Sequence, residues 1–148
     1  MSDNRFLPAF HFTVQFTGLA NNAATDGGFE SVTGLGVTAI NPGTAAAGDK
    51  KLAAQFNPIV LKRAISQQQP SPLRQWVLHN LNGQATAPLP EVLIQVLNEV
   101  HQPAITFRLT HVTAAGWQLG PLTTQQSELL MEEIVLQYRS IEIVNGET

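Results

Sequence analysis

The chain has 148 residues, 43% of them hydrophobic, enough for one domain with a core that needs no disulfide or metal to hold it. Charged residues make up 13%, about half the ~25% usual for soluble domains, and the net charge of −3 comes without a basic cluster, which argues against nucleic acid as the main partner. Cysteine is absent, which excludes disulfides and thiolate metal centres, and no apolar run approaches the ~20 residues of a membrane-spanning helix.

The first residues, MSDNRFLPAF, lack a basic region followed by a long apolar core, so no signal peptide is expected. AFHFTVQFTG is the clearest strand. Phe10, Phe12, Val14 and Phe16 fall on one face and His11, Thr13, Gln15 and Thr17 on the other, with no Lys or Glu on either. Residues 19–28 are rich in turn formers. FESVTGLGVTAI (29–40) reads as a second strand, bulged or bent at Gly34 and Gly36. Residues 41–58 show no period and are expected to form a protruding loop or arm, with a short helix conceivable over Lys50–Ala54.

IVLKRAI (59–65) is a third strand. After QQQPS, Ser71 suits a helix N-cap and Pro72 the first helical position. Leu73, Trp76, Val77 and Leu81 share one helical face, and Gly83 lies just past the end. EVLIQVLNEV (91–100) and AITFRLTHVTAAGW (104–117) are expected strands. Residues 127–144 read as a long C-terminal strand whose apolar phase slips near Ser140, the mark of a bulge. The total is about six strands and one helix, mostly antiparallel.

Chemistry-bearing motifs are sparse. Gly34-Leu35-Gly36-Val37-Thr38-Ala39 matches a loose dinucleotide-binding pattern, but Asn41-Pro42-Gly43 stops the helix that pattern needs. None of His11, His79, His101 and His111 forms a helical i, i+4 pair; His11 and His111 could meet across strands, but without evident carboxylate partners no metal site or cofactor is expected. Glu132 and Glu133 are adjacent and point apart, so they cannot serve as a paired acid and base. Nothing points to an enzyme.

Lys62 and Arg63 adjoin on a strand, so only one of them can face the core side, and a cation there would need a carboxylate or carbonyl partner. Either both reach solvent at the strand end, or they pair with a carboxylate of a neighbouring subunit. Gln, Thr, Asn and Ser fill the polar positions instead of ions, and a neutral polar surface is cheaper to desolvate against neighbours. The alternative source of such a composition is a charge-poor secreted β protein.

The order of segments resembles the tail tube protein family of contractile phages and extracellular contractile injection systems, over roughly Pro8 to Val144. FHFTVQFTG is similar to that family's first strand. FESVTGLG, through Phe29, Val32, Thr33, Gly34 and Leu35, looks like its Phe-x-x-Val-Ser-Gly-Leu segment. VLKRAISQQQPSPLRQWV resembles its Leu-Lys-Arg-Gly run and Trp-bearing helix, with Leu61, Lys62, Arg63 and Trp76 in place but Ala64 where glycine is usual. The closing segment resembles its Glu-rich last strand.

The resemblance implies a mainly β fold: two packed antiparallel sheets forming a β-barrel with one flanking α-helix. It implies a structural inner-tube subunit whose hexameric rings stack around a lumen, inside a sheath, joined to baseplate and spike proteins, with effector cargo in the lumen. Such a protein is made in the bacterial cytoplasm and assembled into a phage tail or tail-like particle, released extracellularly in the injection systems. Expected subunit-contact residues are Lys62, Arg63, Asp49, Lys50, Lys51, Glu132 and Glu133, and the 41–58 loop is expected between stacked rings; Thr13, Gln15 and Thr17 are expected to face the lumen. Two other readings stay open: a tube-initiating ring near the baseplate, and a monomeric β-barrel that binds a small ligand.

Overall fold

A computed structural model describes residues 7, 11–19, 28–40, 53–66, 71–84, 87–125 and 129–145. In chain order the elements are β1 (Phe12–Thr17), β2 (Ser31–Thr33), β3 (Gly36–Ile40), β4 (Ala53–Asn57), β5 (Ile59–Ala64), α1 (Pro72–Leu81), β6 (Leu89–Leu97), β7 (Pro103–Leu119), β8 (Met131–Gln137) and β9 (Ser140–Asn145). Every pairing is antiparallel.

Two packed sheets share β7, whose 17 residues outrun either sheet alone. Its first part pairs with β6 on one side and β9 on the other, giving the order β1-β6-β7-β9. From Thr113 onward it pairs with β8, giving β7-β8-β5-β2. The hand-over lies beside His111, which takes a left-handed φ of 53°, and a register shift between Ala114 and Gly116. Bulges and kinks of this kind let one strand turn a barrel corner. Among the described residues β1 and β2 do not pair, so hydrogen bonding leaves the barrel open along that seam.

The core comes from the inward faces that alternation assigns. Val14, Phe16, Val92, Ile94 and Leu109 of the first sheet meet Ile59, Leu61, Ile134 and Leu136 of the second. Burying each such side chain contributes roughly 1.5–3 kcal/mol. Helix α1 adds Leu73 and Val77, both fully buried. Its start is set as expected: Ser71 Oγ accepts a hydrogen bond from the Arg74 amide at 3.0 Å, and Pro72 occupies the first turn. Trp76 is half-buried and donates from Nε1 to the Ala87 carbonyl at 3.0 Å; Leu81, in the last turn, is exposed.

Several expected strands are divided. The 29–40 segment breaks into β2 and β3 at Gly34, where φ is +90° and a Cβ would sit 2.4 Å from the Pro58 carbonyl oxygen. Only glycine fits that conformation and that approach. Residues 53–57 are not loop or helix but β4, hairpin partner of β3, while 41–52 fall outside the described residues. The Tyr138 hydroxyl ties this arm to the barrel, donating to the Gly36 carbonyl at 3.0 Å and accepting from its amide at 3.3 Å.

The C-terminal strand is broken at Tyr138–Arg139, but β8 and β9 keep one register along β7, with Gln137 opposite Thr113 and Ser140 opposite Thr110. The phase slip near Ser140 is this break: β8 turns Ile134 and Leu136 inward, and β9 turns Ile141. Strand β6 ends at Leu97 because Asn98 caps a tight turn, its Oδ1 accepting from the amides of Val100 and Gln102.

Candidate functional site

Among the described residues the first sheet presents a polar outer face and two open edges. In β1, Val14 and Phe16 are buried while Thr13, Gln15 and Thr17 are exposed, so the two faces separate as alternation predicts. Strand register carries that face across the sheet. Thr13 lies beside Gln95, then Thr106, then Val144; Gln15 beside Leu93, Arg108 and Glu142. Thr17 lies beside Glu91, Thr110 and Ser140. Thr13 Oγ1 donates to Gln95 Oε1, and Thr110 and Ser140 join their hydroxyls.

One cluster on this face is charged. Arg108 lies 3.4 Å from Glu91 and 3.7 Å from Glu142, bridging three strands with two carboxylates to one guanidinium. All three are partly exposed, where such pairs contribute little to stability. Strand β1 forms one edge of the sheet and β9 the other. Neither contains a Pro, a Lys or an Arg, and β1 has no charge at all. Edges without such protection are templates for pairing with another chain.

Arg63 and Glu132, expected at a subunit contact, lie instead inside the chain, 5% and 0% exposed. The reason is phase. Ile59, Leu61 and Arg63 share the inward face of β5, and Arg63 stands opposite Glu132, which shares the inward face of β8 with Ile134 and Leu136. Arg63 Nε donates to Glu132 Oε2 at 2.8 Å, and Arg63 Nη2 donates to Ser71 Oγ at 2.8 Å. Arg74 donates to both Glu132 oxygens, at 2.8 and 2.7 Å, and Trp117 Nε1 donates to Oε1 at 2.9 Å. The Arg63 guanidinium also lies over the Phe29 ring, 4.7 Å from its centre.

Burial alone would push the Glu132 carboxyl up, but the bonds from Arg74, Trp117 and Arg63 outweigh it and hold the group at about 2, against 4.5 for a free carboxyl. The cluster fastens the start of α1 to β5, β7 and β8. Arg74 and Trp117 were not singled out from the sequence: they stand 58 and 15 residues from Glu132, and no periodicity links them.

Lys62 and Glu133 point the other way, opposite each other on the outer face of the second sheet. With Leu119, Leu122, Leu129 and Met131 they line a cleft of about 360 Å³, beside which Leu122 and Leu129 are 75% and 76% exposed. Asp49, Lys50 and Lys51 fall outside the described residues. No group of three or more His, Cys, Asp and Glu able to hold a metal ion occurs among the described residues.

This architecture has relatives among solved structures. A chain in the cryo-EM structure of the anti-feeding prophage baseplate superposes with a TM-score of 0.69 at 23% identity, covering 98% of each chain. One from the PVC extracellular contractile injection system, in its extended sheath–tube complex, gives 0.67 at 14% identity, covering 96% of this chain and 93% of that one. Hcp1 from Flavobacterium johnsoniae gives 0.60 at 12% identity, covering 97% and 98%. At these identities the likeness is one of fold. No curated protein matches the sequence. The model of the T4-like virus tail tube protein gp19 family matches residues 8–142, nearly the whole chain, and the protein belongs to that family of structural tail tube subunits.

Proposed function

We propose that copies of this chain close into a ring by pairing β1 of one subunit with β9 of the next. The observation that carries this reading is the pair of unprotected edges on one sheet. Strands β1, β6, β7 and β9 alternate in direction, so rotation about a ring axis sets β9 antiparallel to the next β1, and closure adds no mismatched pair. Six four-stranded sheets make a barrel of about 24 strands, which at about 4.8 Å spacing and about 40° tilt is about 50 Å across its backbone.

In this ring the outer face of the first sheet, with Thr13, Gln15 and Thr17, lines the lumen. Thr13, Gln15 and Thr17 are neutral, and the charges of Arg108, Glu91 and Glu142 on this face are gathered in one cluster, so passing cargo meets few ionic anchors. Lys62 and Glu133, with the cleft beside them, are contact surface for a neighbouring subunit, and the β3–β4 arm reaches the next ring. The rings stack into a tube inside a sheath, seated on baseplate proteins, and effectors travel through the bore. The role is mechanical and non-enzymatic, in a phage tail or a tail-like particle that leaves the cell.

Cysteine pairs test the edge contact cleanly, because the chain has no cysteine of its own. Within one subunit β1 and β9 are three strand spacings apart, about 14 Å, too far for a disulfide. Thr13→Cys, Gln15→Cys or Thr17→Cys combined with Ser140→Cys, Glu142→Cys or Val144→Cys should yield, in at least one register, a ladder of covalent oligomers ending at a closed hexamer. If none of the nine pairs cross-links assembled protein, the edges do not meet. Electron microscopy of the purified chain separates a main tube subunit, which forms long tubes, from an initiator, which stops at single rings.

A further inference from the structure

Where β1 begins, two imidazoles meet. His11 lies just before β1, and His101 lies in the turn from β6 to β7. Both backbones are held: the Leu97 amide donates to the His11 carbonyl at 2.8 Å, and the His101 amide donates to the Asn98 carbonyl at 3.1 Å. His101 adopts a left-handed φ of 63°, which swings its ring toward β1. His11 Nε2 and His101 Nδ1 then stand 2.8 Å apart, with the rings nearly perpendicular at 83°.

We propose that this pair is a chelating site for a late first-row divalent cation, with Cu2+ preferred. A metal about 2.05 Å from each nitrogen would see atoms 2.8 Å apart at an angle of about 86°. That is close to the ~90° of square-planar and tetragonal sites, which suit Cu2+ and Ni2+. Tetrahedral zinc at the same bond length would hold two nitrogens roughly 3.3 Å apart. In the neutral pair one ring donates a proton to the other. The cation takes the place of that proton, which moves to the outer nitrogen of its own ring, so each imidazole stays neutral and ligates through the nitrogen already facing inward. Among the described residues no third His, Cys, Asp or Glu joins them, so water completes the coordination. His101 is exposed, which leaves the site open to a cation from solvent.

The test is calorimetric titration of the full-length protein with Cu2+, Ni2+ and Zn2+ in a non-coordinating buffer, with electron paramagnetic resonance of the Cu2+ form. One Cu2+ should bind per chain with two nitrogens in the resonance pattern, and Ni2+ should bind more tightly than Zn2+. Loss of outer-sphere support to a metal ligand alone costs roughly 10–100-fold. His11→Ala and His101→Ala, each removing a ligand, should therefore weaken Cu2+ binding at least about tenfold, while His79→Ala and His111→Ala leave it unchanged. Circular dichroism verifies that each variant is folded. Absence of Cu2+ binding, binding that survives both ligand variants, or equal loss in the His79 and His111 variants overturns the site; zinc binding more tightly than nickel overturns its geometry.

Discussion

Glu132→Gln removes one charge and almost no volume, and leaves the guanidiniums of Arg63 and Arg74 without the carboxylate they share. Two routes give the cost. Removing one partner of a buried ion pair typically destabilises by about 3–5 kcal/mol. Independently, a carboxyl lowered from 4.5 to about 2 contributes roughly 3 kcal/mol at neutral pH, since each pKa unit is about 1.4 kcal/mol. The sign is that of a depressed acid: the contribution is complete above about 4.5 and disappears as pH falls toward about 2. Urea denaturation of the unassembled subunit should show Glu132→Gln about 3–4 kcal/mol less stable at pH 7, equivalent to a Tm about 6–16 °C lower. The difference from the wild type should shrink steadily between pH 4.5 and 2. A loss under about 1 kcal/mol, or a difference that does not change with pH, would refute the view that this carboxylate holds the cluster.

Ser71→Ala removes both the helix cap and an acceptor for Arg63, and should cost about 1–2 kcal/mol by the same assay. Gly34→Ala forces a side chain into a left-handed position against the Pro58 carbonyl; it should lower stability by at least about 1–3 kcal/mol, and a neutral result would contradict the tight corner between β2 and β3. Arg108→Ala removes only partly exposed pairs and should change folding stability by less than about 1 kcal/mol, measured by thermal melting. Reversing the outward charges with Lys62→Glu and Glu133→Lys should leave the subunit's melting temperature nearly unchanged while altering the salt dependence of tube formation, read by sedimentation; identical assembly would remove these residues from the contact.

Local chemistry suffices for much of this fold. Alternation over 12–17 separates the core and outer faces of β1, and Ser71, Pro72 and the spacing of Leu73 and Val77 specify a capped helix with one buried side. The glycine at 34 marks a corner because no other residue tolerates its conformation. The Lys62–Arg63 doublet posed a question of phase that sequence could state and not answer. Alternation allows only one cation to face inward; only the pairing of β5 with β8 places Arg63 opposite Glu132, and only the packing of α1 and β7 brings Arg74 and Trp117 to the same carboxylate. The same limit explains why Arg63 and Glu132 looked like contact residues: a charge in a strand reads as surface until its partner is known. Hydrophobic period and turn chemistry act between neighbours along the chain, so the sequence by itself settled where most strands and the helix lie and which of their faces are apolar. The junction of both sheets in one bent strand, the meeting of His11 with His101 and the two open edges of the first sheet depend on contacts tens of residues apart, and those were decided only when the chain closed on itself.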